Sequence, residues 1–185
     1  MPSLSEWLRL LDGFPPEVAW LMRAADELFS SRHDTSGSYV FFKGTATTVC
    51  ELVYELQHIA SDYRISLEDA VWNKYSYKCP YCGYIPCECW NGKANPHRRF
   101  QVPKPKDFTL DELRAMLKEI YPPSMPAIPE MVWRMAVWLK KLHEEVWELV
   151  RARREESQKE VEEEFADVFA RLMQIVNAHG IILDD

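Results

Sequence analysis

The chain has 185 residues, 47% of them hydrophobic, which is enough for one sizeable core or two small ones. Its net charge of -7 and pI near 5.3 argue against a general nucleic-acid or membrane-surface binder, because such proteins need a basic face. No apolar run approaches the roughly 20 residues that span a bilayer, and the N-terminus lacks a signal-peptide pattern, so we expect a cytoplasmic protein.

Helical patterns cover most of the first half of the chain. A capping-box pair, Ser3 with Glu6, and the proline pair at 15–16 each mark the start of a helix. We expect a loop from 31 to 44, with a brief extended piece at 39–42. The predicted helices cover residues 3–12, 15–28, 47–63 and 67–75.

The second half carries three further helical patterns and no alternating strand pattern of useful length. Thr109 with Glu112 forms another capping box, four prolines between 122 and 129 break the chain, and His179–Gly180 is a helix stop. The predicted helices cover about residues 109–120, 130–154 and 161–178. We therefore predict a mainly α fold.

Four of the five cysteines lie in one short segment, separated by two, four and one residues. Without an export signal, metal ligation is more frequent than disulfide formation, and four thiolates at these spacings wrap tetrahedrally around Zn²⁺. A structural zinc ion would order a loop too polar to fold by packing. His97 in place of one thiol, an iron–sulfur cluster, and redox pairing of Cys79 with Cys82 stay open as alternatives. We expect Cys50 to be an ordinary buried residue. The predicted zinc ligands are Cys79, Cys82, Cys87 and Cys89.

Two short acidic motifs lie on the last two predicted helices. Each places two carboxylates three residues apart, on one helix face, and one face continues to Arg171 and Gln174. All four acids stand one residue before an apolar ladder position, so both pairs flank the core at the same offset, roughly 100° around the helix. A cleft lined in this way offers the oxygen ligands that Mg²⁺ prefers together with phosphates. A single motif of this kind is usually a solvated face, and the matched pair favours a site. The four acids are Glu145, Glu148, Glu164 and Asp167.

The sequence around these acids resembles a known family. The run from His143 to Leu149, the motif from Glu164 to Asp167 and the apolar helix that closes at 180–185 are similar to the MazG-like all-α nucleoside triphosphate pyrophosphohydrolases. The resemblance implies a Mg²⁺-dependent enzyme that cleaves between the α and β phosphates, releasing a nucleoside monophosphate and pyrophosphate. It implies that the four acids bind the metal and that Glu144, the extra acid before the first pair, helps to position or deprotonate water.

Two lysines are candidate substrate contacts. Lys141 lies on the first acidic face and is a candidate phosphate ligand, with a merely solvated lysine as the alternative. Lys74 matches a lysine that often binds phosphate in the family that the sequence resembles. We expect Lys74 to complete the site formed by the acids of the other half.

The first half is similar to the same family in a degenerate form. Residues 48–67 align without gaps on residues 164–183, but Thr48 stands opposite Glu164, so this half would bind a metal poorly. Shared helical periodicity alone is the alternative explanation. The predicted units are a degenerate helical half at 1–78, the four-cysteine loop and linker at 79–105, and a helical half with both acidic motifs at 106–185.

The interpretation that follows is a Mg²⁺-dependent nucleotide pyrophosphohydrolase built as a MazG-like helical bundle with a zinc-binding loop. Its partner is a nucleotide, rather than a nucleic-acid polymer or a membrane, and an exposed bundle face favours a homodimer. The alternative from another class is a non-catalytic nucleotide sensor or protein-interaction module with a structural zinc loop. A phosphoribosyl-nucleotide pyrophosphohydrolase shares the acidic helices, and nothing in the sequence selects its substrate.

Overall fold

A computed structural model describes residues 38–89, 102–122, 141–142, 144–153 and 157–180 of the chain. Within these ranges the regular structure is helical, and no strand is found. The mainly α fold predicted from the sequence is therefore confirmed. The helices are α1 (Ser38–Asp62), α2 (Leu67–Tyr75), α3 (Leu110–Ile120), α4 (residues 141–142 and 144–153) and α5 (Gln158–His179). The helices predicted at 3–12 and 15–28, and residues 130–140 of the predicted long helix, lie outside the described residues.

Helix α1 begins at Ser38, nine residues before the predicted start at Thr47. The predicted loop is therefore wrong over residues 38–44, and so is the extended piece at 39–42. A short run of apolar residues fits a strand and a helix equally well by pattern, and a glycine such as Gly44 is tolerated inside a helix at a cost of about 1 kcal/mol.

Helix α5 also begins earlier than predicted, at Gln158 rather than about Val161. The Ser157 hydroxyl accepts a hydrogen bond from the Glu160 amide, and the Glu160 carboxylate accepts one from the Ser157 amide at 2.7 Å. This capping box satisfies two of the amide groups that a helix start leaves unpaired. It lies inside a run of charged residues between the helices predicted at 130–154 and 161–178.

Helix boundaries elsewhere follow the predicted signals. The Ser66 hydroxyl caps α2 by accepting from the Asp69 amide at 3.1 Å, and Thr109 with Glu112 forms the predicted capping box of α3. Gly180 ends α5 in the left-handed conformation, with φ of 62°, which glycine adopts without a steric cost. None of the helices in the described part of the chain is both long and apolar enough to cross a bilayer.

Helix α5 lies at the centre of the core and packs against α1, α2 and α3. Buried side chains from all five helices and from the cysteine loop belong to one hydrophobic cluster. Every described position of the two predicted apolar ladders is buried, which confirms the faces assigned to α4 and α5. These positions are Leu142, Val146, Leu149, Val161, Phe165, Val168, Leu172 and Ile175.

Helix α2 is held between α5 and the segment that leads into α3. The Trp72 indole donates a hydrogen bond to the Val102 carbonyl at 2.9 Å and meets the Phe108 ring edge-on at 4.5 Å between centroids. Lys104 forms an ion pair with Asp69 at 2.6 Å. These contacts fix one side of α2, so the opposite side of its last turn is presented to α5.

We predict that Ser157→Ala lowers the free energy of unfolding by about 1 kcal/mol, because the α5 start loses its cap acceptor. Ser157→Asp keeps an acceptor and should stay within a few tenths of a kcal/mol of the parent. Urea denaturation followed by circular dichroism measures both. Equal losses for the two variants would contradict the cap.

Candidate active site

Three of the four predicted acids converge in the structure. One carboxylate oxygen from each of Glu145, Glu164 and Asp167 lies within 4.8 Å of the other two. Glu145 and Asp167 are buried, and Glu164 is half-buried. Glu148 is half-buried and outside this set, although its negative charge contributes to raising the pKa of Glu145 and of Glu164. We call Glu145, Glu164 and Asp167 the acidic cluster.

The core places these acids at its edge. Glu145 is followed by Val146, which is buried, and Asp167 is followed by Val168, which has no exposed surface. A residue that directly precedes a buried helix position lies about 100° around the helix from it. The acids on α4 and α5 therefore stand beside the packed interface of the two helices.

Asp167 is bound on both of its oxygens by consecutive residues of α2. The Lys74 ammonium lies 2.6 Å from one oxygen and also donates to the Glu163 carbonyl at 3.1 Å. The Tyr75 hydroxyl donates to the other oxygen at 2.6 Å. Burial raises the pKa of Tyr75 well above its ordinary value, so the hydroxyl keeps its proton and remains a donor. The structure thus brings Lys74 to the acidic cluster, where the sequence predicted that it would complete the site.

Glu145 is compensated by Arg171, which stands one turn after Asp167 on α5. The guanidinium reaches one Glu145 oxygen with two nitrogens at 3.0 Å and donates to the Gln174 side chain at 3.2 Å. Burial raises the pKa of Glu145, and the charge of Arg171 opposes that rise. Both partners are mostly buried, with 21% and 7% of the Arg171 and Glu145 side chains exposed.

Glu164 differs from the other two members of the cluster. Its Oε2 atom is buried and has no hydrogen-bond partner in the described part of the chain. Burial first, and then the negative charge of Asp167, raises the pKa of Glu164 to about 7, although Lys74 acts in the opposite direction. Buried polar atoms are normally hydrogen-bonded, so an unpartnered carboxylate oxygen beside two other carboxylates fits a divalent cation.

The donor set suits Mg²⁺ rather than a soft metal, because every candidate ligand atom is a carboxylate oxygen. The site also has more negative than positive charge. Lys74 and Arg171 face the three carboxylates of the cluster and the nearby Glu148. A divalent cation would remove that excess.

A cleft of about 400 Å³ is lined in part by Lys74, the residue that pairs with Asp167. Lys159 lines it and pairs with Glu163 at 3.6 Å, leaving 84% of the Lys159 side chain exposed. Two lysines therefore border the cleft next to the acidic cluster. The lining residues are Ala70, Asn73, Lys74, Lys159, Glu162 and Glu163.

Lys141 and Glu144 are placed together, outside the acidic cluster. Their side chains form an ion pair at 2.6 Å, with 48% of Lys141 and 34% of Glu144 exposed. The arrangement is that of a surface pair three residues apart on a helix, which contributes little to stability.

The four predicted zinc ligands also converge. Their sulfur atoms all lie within 4.8 Å of one another, with Cys79 to Cys89 at 3.6 Å and Cys82 to Cys87 at 3.9 Å. Zinc–sulfur bonds of about 2.3 Å in a tetrahedron separate the sulfurs by about 3.8 Å, so these spacings fit a four-thiolate zinc site. The sulfurs are free rather than joined in disulfides, and three of the four residues are buried.

Hydrogen bonds further support thiolates in this loop. Backbone amides of Glu88 and Cys89 donate to the sulfurs of Cys82 and Cys87 at 3.3 and 3.5 Å. A hydrogen bond with Cys87 lowers the pKa of Cys79 to about 4, while the same contact raises the pKa of Cys87. Metal binding to these cysteines would require the loss of their remaining thiol protons.

Sequence reasoning missed two aromatic residues of this region. Tyr75 binds Asp167, and the half-buried Tyr121 donates from its hydroxyl to the sulfur of Cys79 at 3.5 Å. A tyrosine in an amphipathic helix carries no pattern that shows which distant group its hydroxyl meets. Cys50 is half-buried on α1, rather than fully buried as expected, and His97 lies outside the described residues.

Residues 135–185 match the family model of the MazG nucleotide pyrophosphohydrolase domain. The match confirms the resemblance over this range, which contains α4, α5 and all four predicted acids. Lys74, Tyr75 and the four cysteines lie outside it. Comparison with curated proteins and with solved structures gave no match.

We predict that Glu164→Gln stabilises the metal-free protein at about pH 8 and has a smaller effect at about pH 5.5. The folded-state pKa of Glu164, about 7, lies above its ordinary value of 4.5. The stability linked to this group is therefore full below pH 4.5 and is lost as pH rises through about 7. After allowance for solvent screening, we expect the variant's Tm to be about 2–4 °C higher at pH 8.

Calorimetry in Mg²⁺-free buffer measures this difference. Added Mg²⁺ should then raise the Tm of the parent more than that of Glu164→Gln, because the variant lacks one anionic ligand. The same Tm difference at both pH values would contradict the assignment.

We predict about one tightly held zinc ion per purified chain, measured by elemental analysis. Cys82→Ser should lose the ion and lower the Tm, because a polar loop loses its cross-link. Cys50→Ser is the matched control and should retain the zinc. Bound iron with visible absorption would indicate an iron–sulfur cluster instead. A metal-free protein would contradict a metal site at the four cysteines.

Proposed function

From the match of residues 135–185 to the MazG domain, we propose that the protein is a divalent-metal-dependent nucleotide pyrophosphohydrolase. In this proposal it cleaves a nucleoside triphosphate into a nucleoside monophosphate and pyrophosphate. We propose metal dependence because the Glu164 Oε2 atom, within a cluster of three carboxylates, has no hydrogen-bond partner among the described residues. The non-catalytic nucleotide sensor remains the alternative from another class.

The residues that would hold Mg²⁺ are Glu145, Glu164 and Asp167, with Glu148 beside them. When bound, Mg²⁺ would neutralise phosphate charge and lower the pKa of a coordinated water. No side-chain nucleophile is needed for this chemistry. The protein's own groups orient the carboxylates and bind the phosphates.

Lys74 acts as the movable charge of the proposed site. Its ammonium neutralises Asp167 from a position 2.6 Å away, with only 15% of the side chain exposed. Lys74 would be repelled from Asp167 if that carboxylate held a divalent cation. Lys74 also lines the 400 Å³ cleft, so a displaced ammonium has room to meet a phosphate there. One lysine would then stabilise the carboxylates before substrate arrives and the phosphates afterwards.

Arg171 has a different role in the proposal. Its two contacts with Glu145 oppose the rise in pKa that burial causes in that carboxyl, and they fix its orientation. Because Arg171 is tied to Glu145 and Gln174, it is a positioning group for the cluster rather than a phosphate ligand.

Glu144 and Lys141 enter the proposal through the resemblance. Glu144 forms an ion pair with Lys141 at 2.6 Å, and the proposal gives it a role in positioning or deprotonating water. Lys141 itself stays a candidate phosphate contact at the rim of the site.

The four cysteines are proposed to hold a structural zinc ion. Four thiolates close the coordination shell and leave no position for a substrate, so the ion would supply rigidity rather than catalysis. The cytoplasmic location, the homodimer and the degenerate repeat at 1–78 stay predictions from the sequence.

We predict that Asp167→Asn and Glu148→Gln each lower pyrophosphate release by at least about 100-fold, because even outer-shell partners of a catalytic metal contribute about 10–100-fold. Glu119→Gln, on the exposed face of α3, is the control and should retain parental activity. A panel of nucleoside triphosphates assayed with and without Mg²⁺ provides the measurement. Nucleotide binding without pyrophosphate release by the parent would favour the sensor instead.

A further inference from the structure

The acidic cluster and the four-cysteine site are joined by one short stretch of chain. Tyr75, whose hydroxyl binds Asp167, ends α2 only four residues before the first zinc ligand, Cys79. The turn between them is closed by hydrogen bonds from the Ser76 amide to the Trp72 carbonyl at 3.0 Å and from the Lys78 amide to the Tyr75 carbonyl at 2.6 Å. Because this turn is short and closed by hydrogen bonds, a displacement of Cys79 also displaces Tyr75.

A second connection runs through Tyr121, the residue that follows α3. Its hydroxyl donates to the Cys79 sulfur, and its ring meets the Tyr75 ring edge-on, with centroids 6.2 Å apart. The neighbouring Ile120 carbonyl accepts from the Cys87 amide at 2.7 Å. Cys79 and Cys87 therefore both contact the end of α3. Tyr121, at that end, contacts the ring of Tyr75 in turn.

We propose that the four-cysteine site controls the metal affinity of the acidic cluster, with Tyr121 and Tyr75 as the positioning residues between the two sites. A metal on the thiolates fixes Cys79 and, through Tyr121, the ring of Tyr75, so that its hydroxyl stays on Asp167. This inference rests on the proposed function only in taking the acidic cluster as a divalent-cation site.

The burial of the residues favours coupling over independent sites. Tyr75 is 3% exposed and Cys79 is 1% exposed, so both move only together with the core around them. The Tyr75 hydroxyl orients one oxygen of Asp167, which leaves the other oxygen to Lys74 or to a cation. Outer-shell groups of this kind typically change metal affinity by about 10–100-fold.

The test is a titration of the zinc-loaded full chain with Mn²⁺ in the absence of substrate. Electron paramagnetic resonance measures the free Mn²⁺ at each point. We expect Tyr75→Phe to raise the Mn²⁺ Kd about tenfold, because it removes only the hydroxyl that orients Asp167. Tyr63→Phe is the matched control. It removes a hydroxyl that accepts a hydrogen bond from Arg153, and it should leave the Mn²⁺ Kd unchanged.

Two further variants probe the cysteine end of the connection. Tyr121→Phe retains all four cysteines and loses only the hydrogen bond to Cys79, and Cys89→Ser removes the exposed ligand of the zinc site. Each should raise the Mn²⁺ Kd about fivefold, the lower end of typical coupling between two sites. Tyr75→Phe with Tyr121→Phe should bind Mn²⁺ as Tyr75→Phe does alone, since both act through the same hydroxyl.

The outcomes separate this inference from the proposed function. Parental Mn²⁺ affinity in Tyr75→Phe and Tyr121→Phe, with folding intact by circular dichroism, would overturn the coupling even if the parent hydrolyses nucleotides. Mn²⁺ binding that weakens as expected, in a parent that releases no pyrophosphate, would support the coupling and overturn only the enzymatic proposal. Should Cys89→Ser fail to fold, Tyr121→Phe decides the result.

Discussion

Carboxylates gathered at the edge of a packed core repel one another and have lost part of their hydration, so their position has to be stabilised by other groups. Asp167 receives an ammonium and a phenolic hydroxyl, and Glu145 receives a guanidinium. The Oε2 atom of Glu164 has no hydrogen-bond partner among the described residues, and burial together with the charge of Asp167 raises the pKa of Glu164. This electrostatic requirement explains why Lys74 and Arg171 are drawn into a mostly buried region that charged side chains usually avoid.

The same requirement makes the site depend on residues far apart in sequence. The family match covers residues 135–185, yet the ammonium and hydroxyl on Asp167 come from α2, 93 and 92 residues before it. Helices α4 and α5 therefore supply the acids, and α2 supplies groups that allow one of them to stay charged. These helices share one hydrophobic cluster, which fixes the acids of α4 and α5 relative to the side chains from α2.

The cysteine loop brings its four sulfurs close together. Its sulfurs are spaced as a tetrahedral zinc site requires, and three of the four cysteines join the buried cluster. The loop directly follows α2, the helix that presents Lys74 and Tyr75, and it contacts the end of α3. The proposed coupling between the cysteines and the acidic cluster rests on that position.

The sequence by itself determined the helical class, the buried ladders, most helix starts, the two acidic motifs and the cysteine spacing, because each depends on neighbours within a few turns of chain. The sequence did not predict the start of α1 at Ser38, because a short apolar run fits a strand and a helix equally well. Only the tertiary structure decided that Tyr75 and Lys74 share Asp167, that Glu148 lies outside the cluster, and that Tyr121 meets Cys79. Those contacts depend on how the helices pack against α5, and no local pattern encodes the distance between side chains so far apart in sequence.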